Sequence, residues 1–124
     1  KVWFEKILAE LDDELILVGH SLGGIFLVKY LSENVITKEI QSAHFVAPPF
    51  ISSGNSFSLP DDLSGVMQAH SVFFYHSKDD AVVPFTAVAQ FKEKLPTATF
   101  RELDGRGHFN KDNLPEIVED IKSL

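Results

Sequence analysis

The residues of this 124-residue chain that could carry chemistry fall in three short segments. In the first, residues 19–24 (GHSLGG), glycines flank Ser21 in the pattern G-x-S-x-G. A sharp strand-to-helix turn would project the Ser21 hydroxyl from a sheet edge, and Gly19 and Gly23 would avoid clashes in so tight a turn. The helix start would leave the Leu22 N–H free to stabilise an oxyanion. This segment predicts a nucleophilic serine for acyl transfer.

A serine nucleophile needs a base, and the base needs an orienting acid. Asp79 and Asp80 follow the third strand-like segment of the chain, and His108 follows the fourth. Because parallel strands bring their carboxyl ends to one edge of a sheet, we expect these side chains to approach Ser21. By this argument alone, either aspartate can supply the acid.

The elements that would position these residues alternate between helix and strand patterns. The run Leu15–Val18 is apolar throughout, which is typical of a strand buried on both faces. The alternation predicts an α/β fold, a parallel sheet with flanking helices. Residues 48–68 predict either a lid or binding loop, or a loop with a short helix near 63–68. The helical patterns cover residues 2–11, 22–32, 84–96 and 114–124, and the strand patterns cover 15–18, 43–46, 72–76 and 97–103.

With these motifs the chain resembles the C-terminal part of an α/β-hydrolase, and more narrowly the small serine hydrolases of the retinoblastoma-binding-protein-9/YdeN-like group. The resemblance covers essentially all of the chain. In that superfamily the acid sits in the setting h-G-x-x-D-x-x-V-P, and Ser77 in the glycine place assigns it to Asp80. Asp79 is then a loop cap or a solvated charge. The resemblance also implies that His108, in its G-x-G-H setting, is the base for Ser21.

The same resemblance makes the four strands the fifth to eighth of a standard α/β-hydrolase sheet. Residues 1–124 are therefore predicted to be a partial α/β-hydrolase domain whose N-terminal strands are absent. The loop that supplies the second oxyanion donor in such enzymes would be absent with them. The Leu15–Val18 strand would present a bare apolar edge, so we expect it to pair with the missing segment or with another copy.

The leading functional interpretation is a serine hydrolase that cleaves a small acyl substrate of the carboxylic ester type. The same triad would serve a thioesterase, a peptidase or an acyltransferase, and a hydrolase-fold binding protein with little turnover is a further alternative. Candidate substrate-binding residues are His20, beside the serine, and Phe50 and Phe57, where these hydrolases often insert a lid. The two phenylalanines are equally compatible with a place in the core.

Composition narrows the remaining classes. The net charge of −7 argues against a nucleic acid or an anionic membrane as a partner. The chain has no cysteine, no phosphate-binding glycine loop and no metal-ligand spacing among its histidines, so neither a metal nor a cofactor is expected. We expect structural roles for His44 and His76 and an exposed position for His70. Without a signal-peptide pattern or a membrane-length apolar run, a cytoplasmic location is expected.

Overall fold

The structure is a computed structural model and describes residues 1–110 and 114–124. Helices and strands alternate along this part of the chain, which confirms the predicted α/β fold. The elements are α1 (Val2–Glu10), β1 (Glu14–His20), α2 (Leu22–Glu33), β2 (Glu39–Val46), a 3₁₀ helix (Ser64–Gln68), β3 (Ser71–Ser77), α3 (Thr86–Lys94), β4 (Thr99–Leu103) and α4 (Pro115–Lys122).

The strands form one parallel sheet in the order β1-β2-β3-β4. At its carboxyl edge, His20 pairs with Val46, Val46 with Tyr75, and Ser77 with Leu103. All four strands therefore end at the same edge, and the segments that follow them share one rim of the sheet. This is the arrangement that the functional argument requires.

The larger core lies on one face of the sheet. The apolar residues of α2 recur at helical spacing, at Ile25, Val28 and Leu31, so they share one side of the helix and pack toward the strands. Residues of α1, α3 and the 3₁₀ helix complete this layer. A smaller cluster on the opposite face includes residues of β2 and β3 and is contacted by Ile117 of α4. The sheet thus lies between two helical layers of unequal extent.

The prediction that β1 is buried on both faces is wrong. Leu15 and Leu17 face the larger core, but Ile16 and Val18 on the other face are 41% and 52% exposed. In the sheet β1 pairs with β2 alone, and no other described strand occupies its free edge. The apolar run reflects a strand whose second face has no described helix covering it.

Two strands and one helix begin at residues other than the predicted ones. The second strand begins at Glu39, four residues before the apolar pattern, and Gln41 there donates a 2.6 Å hydrogen bond to Glu14 of β1. Cross-strand polar pairs of this kind support a strand without an apolar signal. In the other direction, α3 begins at Thr86 rather than at residue 84, and β4 begins at Thr99 rather than at residue 97.

Residues 48–68 form a connection that contains a short helix, as one of the two alternatives predicted. The 3₁₀ helix packs closely on α2: a Cβ at Gly65 would lie 2.2 Å from the Leu31 carbonyl oxygen, so a larger residue does not fit there. A role as a lid or binding loop stays a prediction. None of the described helices is long and apolar enough to cross a membrane.

Candidate active site

Ser21 lies at the turn between β1 and α2 in a backbone conformation that L-residues rarely adopt, with φ 55° and ψ −119°. Its N–H donates to the Val46 carbonyl at 2.8 Å, which extends the β1–β2 ladder by one residue. Its carbonyl accepts the Ile25 N–H at 3.1 Å, in the first turn of α2. The serine is therefore fixed by both elements, and its left-handed backbone aims the side chain away from either.

The turn brings the backbones of β1 and α2 into close contact. A Cβ at Gly19 would lie 2.7 Å from the Gly23 carbonyl oxygen, and one at Gly24 would lie 3.1 Å from the Pro48 Cβ. The predicted steric need for glycine is confirmed at Gly19, where the obstacle is backbone and cannot move aside. It is wrong at Gly23, where a Cβ would meet nothing within 4 Å because that position faces open space.

The structure brings Ser21, His108 and Asp80 together at the carboxyl edge of the sheet. His108 Nε2 lies 2.9 Å from Ser21 Oγ, and His108 Nδ1 lies 2.8 Å from Asp80 Oδ2. The three residues follow β1, β4 and β3 respectively. The Asp80 side chain is fully buried and that of His108 is 8% exposed. The hydroxyl, imidazole and carboxylate thus form one continuous hydrogen-bonded chain.

The structure also separates the two neighbouring aspartates. Asp80 faces His108, whereas Asp79 accepts hydrogen bonds from Ser77 Oγ at 2.5 Å and from the Gly107 N–H at 3.0 Å. These bonds, led by that of Ser77, hold the pKa of Asp79 below its usual value. Asp79 therefore ties the end of β3 to the loop that carries His108, as expected for a loop cap.

Asp80 remains a carboxylate despite its burial. Burial alone would raise its pKa, but hydrogen bonds from His108 and from the N–H groups of Val83 and Val82 outweigh it, so the pKa lies below the usual value. Both N–H groups donate to Asp80 Oδ1 at 2.8 Å, which leaves Oδ2 to accept from His108. An ionised acid in this position can stabilise a positive charge on the imidazole.

Left-handed backbone is concentrated near the same edge. Besides Ser21, two other non-glycine residues among those described have positive φ: Ala47, directly after β2, at 48°, and Phe109, beside His108, at 58°. Such conformations cost of order 1–3 kcal/mol each and persist where the surrounding structure enforces them. Here the Ala47 N–H is held by the Tyr75 carbonyl at 2.8 Å, and the Phe109 N–H by the Arg106 carbonyl at 3.1 Å.

The remaining candidate residues take different places. His20 lies beside the hydrogen-bonded chain of Ser21, His108 and Asp80. Its Nε2 is 2.7 Å from the His108 carbonyl oxygen, and its ring centroid is 4.9 Å from that of His108. Leu22 is the first residue of α2, where an N–H has no acceptor within its own helix. Phe50 packs edge-on against Phe91 of the core. Phe57 lines a groove of about 320 Å³ beside the middle and C-terminal half of α2.

The other histidines occupy the positions that the sequence predicts. His44 is buried and bonded on both ring nitrogens, to Ser42 and Tyr75, and His70 is exposed and bonded to Glu39. His76 is buried with a hydrogen bond to the Val83 carbonyl. Within residues 1–110 and 114–124, no group of three or more His, Asp or Glu side chains is arranged to hold a metal ion.

Sequence reasoning missed what surrounds the acid. The backbone N–H groups that fix Asp80 belong to Val82 and Val83, and His76 Nε2 lies 3.4 Å from Asp80 Oδ2. The backbone donors carry no sequence signal. A histidine four residues before the acid, at the end of its strand, is a visible signal, but nothing in the pattern says which way the ring points.

Comparisons with known proteins bear on the whole chain. A family model described as serine hydrolase matches residues 2–120. The chain is similar to the crystal structure of the ydeN gene product from B. subtilis, with a TM-score of 0.82 and 21% identity over 97% of this chain and 70% of that one. No curated protein matches it by sequence.

Two further structures show a weaker likeness. One is Est1E from Butyrivibrio proteoclasticus, with a TM-score of 0.65 and 16% identity over 98% of this chain and 65% of that one. The other is MGS-M1, an α/β-hydrolase enzyme from a Medee basin deep-sea metagenome library, at 0.60 and 17% over 87% of this chain and 51% of that one. At these identities the likeness concerns the fold, and the chain spans between about half and 70% of each structure's length.

Proposed function

Because the chain belongs to the serine hydrolase family, we propose that it acts through Ser21, His108 and Asp80 as a catalytic triad on a small carboxylic ester-type substrate. The observation that carries the proposal is the hydrogen-bonded chain from Ser21 Oγ through His108 to the Asp80 carboxylate, at 2.9 and 2.8 Å. The strained turn beneath Ser21 adds support, since it is the local geometry of a nucleophile elbow.

In this mechanism His108 Nε2 takes the hydroxyl proton as Ser21 Oγ attacks the acyl carbon. Asp80 Oδ2 holds the Nδ1–H and stabilises the imidazolium that forms. When the tetrahedral intermediate collapses, the bond to the alkoxide leaving group breaks, and His108 returns the proton to it. Water then attacks the acyl-enzyme with the same assistance, which releases the acid and restores Ser21.

The Leu22 N–H is our candidate oxyanion donor, because the first N–H groups of a helix lack intrahelical acceptors and carry the positive end of its dipole. His20 is a candidate for contact with the substrate because it lies beside His108 at the exposed rim. Phe50 and Phe57 remain candidates for an acyl pocket. Their replacement by alanine would change the preferred acyl chain length, measured with a series of nitrophenyl esters, if they line one.

Covalent labelling tests the triad directly. We expect a fluorophosphonate probe to label the chain on Ser21, as mapped by mass spectrometry, and Ser21→Ala to abolish labelling. Asp80→Asn should slow labelling by about 10³–10⁴-fold because the imidazole loses its orienting acid. The neighbouring Asp79→Asn is the matched control and should slow it less than about tenfold, because Asp79 binds the loop and not the imidazole.

Two results would contradict the proposal. A folded chain that is not labelled at Ser21 would favour the alternative of a hydrolase-fold binding protein with little turnover. Equal losses in Asp79→Asn and Asp80→Asn would remove the assignment of the acid. Competition by thioesters, anilides and esters for the probe then ranks the acyl classes that this triad could accept.

We also propose that the free edge of β1 is paired in the working protein, by a strand outside these 124 residues or by a second copy. The exposure of Ile16 and Val18 beside that edge supports this, since bare apolar edges promote aggregation. Ile16→Thr and Val18→Thr should reduce self-association of the chain in sedimentation velocity if a second copy covers it. A monomer that stays soluble with both valine and isoleucine in place would contradict pairing by a copy.

A further inference from the structure

His76 is a buried imidazole that lies against the acid but outside the proposed triad. His76 is 3% exposed and lies on β3, four residues before Asp80. His76 Nε2 is 3.0 Å from the Val83 carbonyl oxygen and 3.4 Å from Asp80 Oδ2. Because a carbonyl oxygen can only accept, Nε2 carries the hydrogen and donates it to the Val83 carbonyl, while Asp80 Oδ2 lies nearby.

We propose that His76 is a positioning residue that holds the Asp80 carboxylate in the orientation that receives His108. The inference rests on the proposed function of the triad. Asp80 Oδ1 is fixed by the N–H groups of Val82 and Val83, so the orientation of the carboxylate depends on the position of the turn that carries these two residues. The His76 N–H holds the Val83 carbonyl and so fixes this turn, and Nε2 lies 3.4 Å from Asp80 Oδ2.

Val83 is the residue through which the His76 hydrogen bond reaches the acid. Val83 donates its N–H to Asp80 and accepts the His76 N–H on its carbonyl. The turn formed by residues 80–83 is therefore held both by a bond within it and by a bond to β3. His76 itself sits on β3, where it pairs with Glu102 of β4. Its ring is met edge-on by Phe85 at 5.7 Å and 85°. The imidazole is thus a rigid link from the sheet to the acid loop.

Three substitutions at one position separate positioning from packing. Glutamine can present an N–H close to the place of His76 Nε2, asparagine is polar but too short to reach the Val83 carbonyl, and leucine fills the volume without a donor. For His76→Leu and His76→Asn we expect kcat to fall about 10–100-fold with little change in KM, because small misplacements of a reacting group cost this much. His76→Gln should recover most of the loss.

A second measurement follows the bond itself and does not depend on turnover. The proton on His108 Nδ1, held by Asp80, should give a low-field proton NMR resonance that Asp80→Asn abolishes. We expect His76→Leu and His76→Asn to shift or broaden it and His76→Gln to retain it. His44→Leu is the matched control, since His44 is equally buried on the neighbouring strand and does not touch Asp80.

The outcomes separate this inference from the triad proposal. If folded Gln, Asn and Leu variants at residue 76 keep the wild-type kcat and resonance, His76 is a packing residue and the inference fails. It also fails if His44→Leu loses as much kcat as His76→Leu, because the loss then follows stability. If Ser21→Ala keeps the wild-type ester turnover, the triad proposal fails, while the resonance still decides whether His76 positions Asp80. If His76→Leu does not fold, the contrast between Gln and Asn decides.

Discussion

Two hydrogen-bonded chains in this molecule run from a serine through a histidine to a carboxylate, on different parts of the sheet. The first links Ser21, His108 and Asp80 at the carboxyl edge. In the second, Ser42 lies 2.8 Å from His44 Nε2, and His44 Nδ1 lies 2.9 Å from the Tyr75 hydroxyl. Tyr75 then donates to Asp120 Oδ2 at 2.8 Å.

The serines differ in backbone and access. Ser42 is completely buried within β2, on the face contacted by α4, whereas Ser21 is partly exposed at a strained turn. A serine inside a regular strand has its N–H and carbonyl in the ladder and no helix start beside it, so it has neither room for a substrate nor a donor for an oxyanion.

The acids differ in what neutralises them. Asp120 accepts two hydrogen bonds from Arg101, from Nη2 at 2.7 Å and from Nε at 3.3 Å. Asp80 is instead surrounded by uncharged N–H donors, so its charge is available to a histidine that becomes positive. The connection Ser–His–acid is therefore not sufficient for a site. The first chain differs in its location at the sheet edge and in an acid that is bound by N–H groups and a histidine and not by an arginine.

Burial shifts the pKa values of His44 and Tyr75 so that both favour the uncharged form. It lowers the pKa of His44, against the opposing attraction of Asp120, and it raises the pKa of Tyr75, with the hydrogen bond to Asp120 adding to the rise. Both groups are thus held neutral. The uncharged His44 and Tyr75 connect Ser42 to the ion pair of Asp120 with Arg101, and these residues join β2, β3, β4 and α4. We assign this chain a structural role.

The largest expected difference between the two chains is in activity. His108→Ala should lower kcat/KM for ester hydrolysis by about 10⁴-fold or more, because the proton acceptor of Ser21 is lost. His44→Ala should change kcat/KM less than about tenfold in the protein that remains folded. Circular dichroism at the assay temperature checks the fold of both. Similar losses in the two folded variants would break the distinction.

The second prediction concerns stability, for which we expect the chain through His44 to matter more than the chain through His108. Tyr75→Phe removes the hydroxyl that joins His44 to Asp120 and leaves a buried N–H without its acceptor. We expect the free energy of unfolding to fall by about 1–3 kcal/mol, measured by urea denaturation, with kcat/KM nearly unchanged. As a control, Phe73→Leu on the same strand removes ring packing but no hydrogen bond. A Tyr75→Phe variant as stable as the wild type would contradict a structural role for this chain.

The third and smallest effect is on the pH dependence of stability. Burial raises the pKa of Asp120, but the hydrogen bonds from Arg101 and Tyr75 outweigh it, so this pKa, like that of His44, lies below its usual value. As the pH falls below the usual value of either group, the unfolded chain binds the proton first, so folding free energy is lost. We expect the free energy of unfolding to decrease in a first step below neutral pH and in a second step in acid.

His44→Gln sharpens this test, because it removes the group responsible for the first step and should leave the acid step in place. Urea denaturation at closely spaced pH values measures both. If the wild type is more stable at mildly acidic pH than at neutral pH, the sign of the His44 contribution is wrong. If His44→Gln keeps the first step, another group causes it.

The parts of the site that the sequence predicts are those controlled by local backbone geometry. The glycine pattern around Ser21 predicts a strand-to-helix turn, and a tight turn of that kind needs glycine at residue 19 because a Cβ there would lie 2.7 Å from the Gly23 carbonyl oxygen. Parallel strands then oblige the segments with Asp80 and His108 to meet at the same edge. The choice between Asp79 and Asp80 needed the resemblance, since both lie in one loop.

Tertiary structure alone decided which side chains face each other across the sheet. The partners Ser42, His44, Tyr75 and Asp120 come from two strands and a helix up to 78 residues apart, so no local periodicity links them. The exposure of Ile16 and Val18 depends on the place of β1 at the edge of the sheet. Sequence patterns record the preferences of neighbouring residues, whereas strand order, helix coverage and ring orientation arise when distant elements pack together.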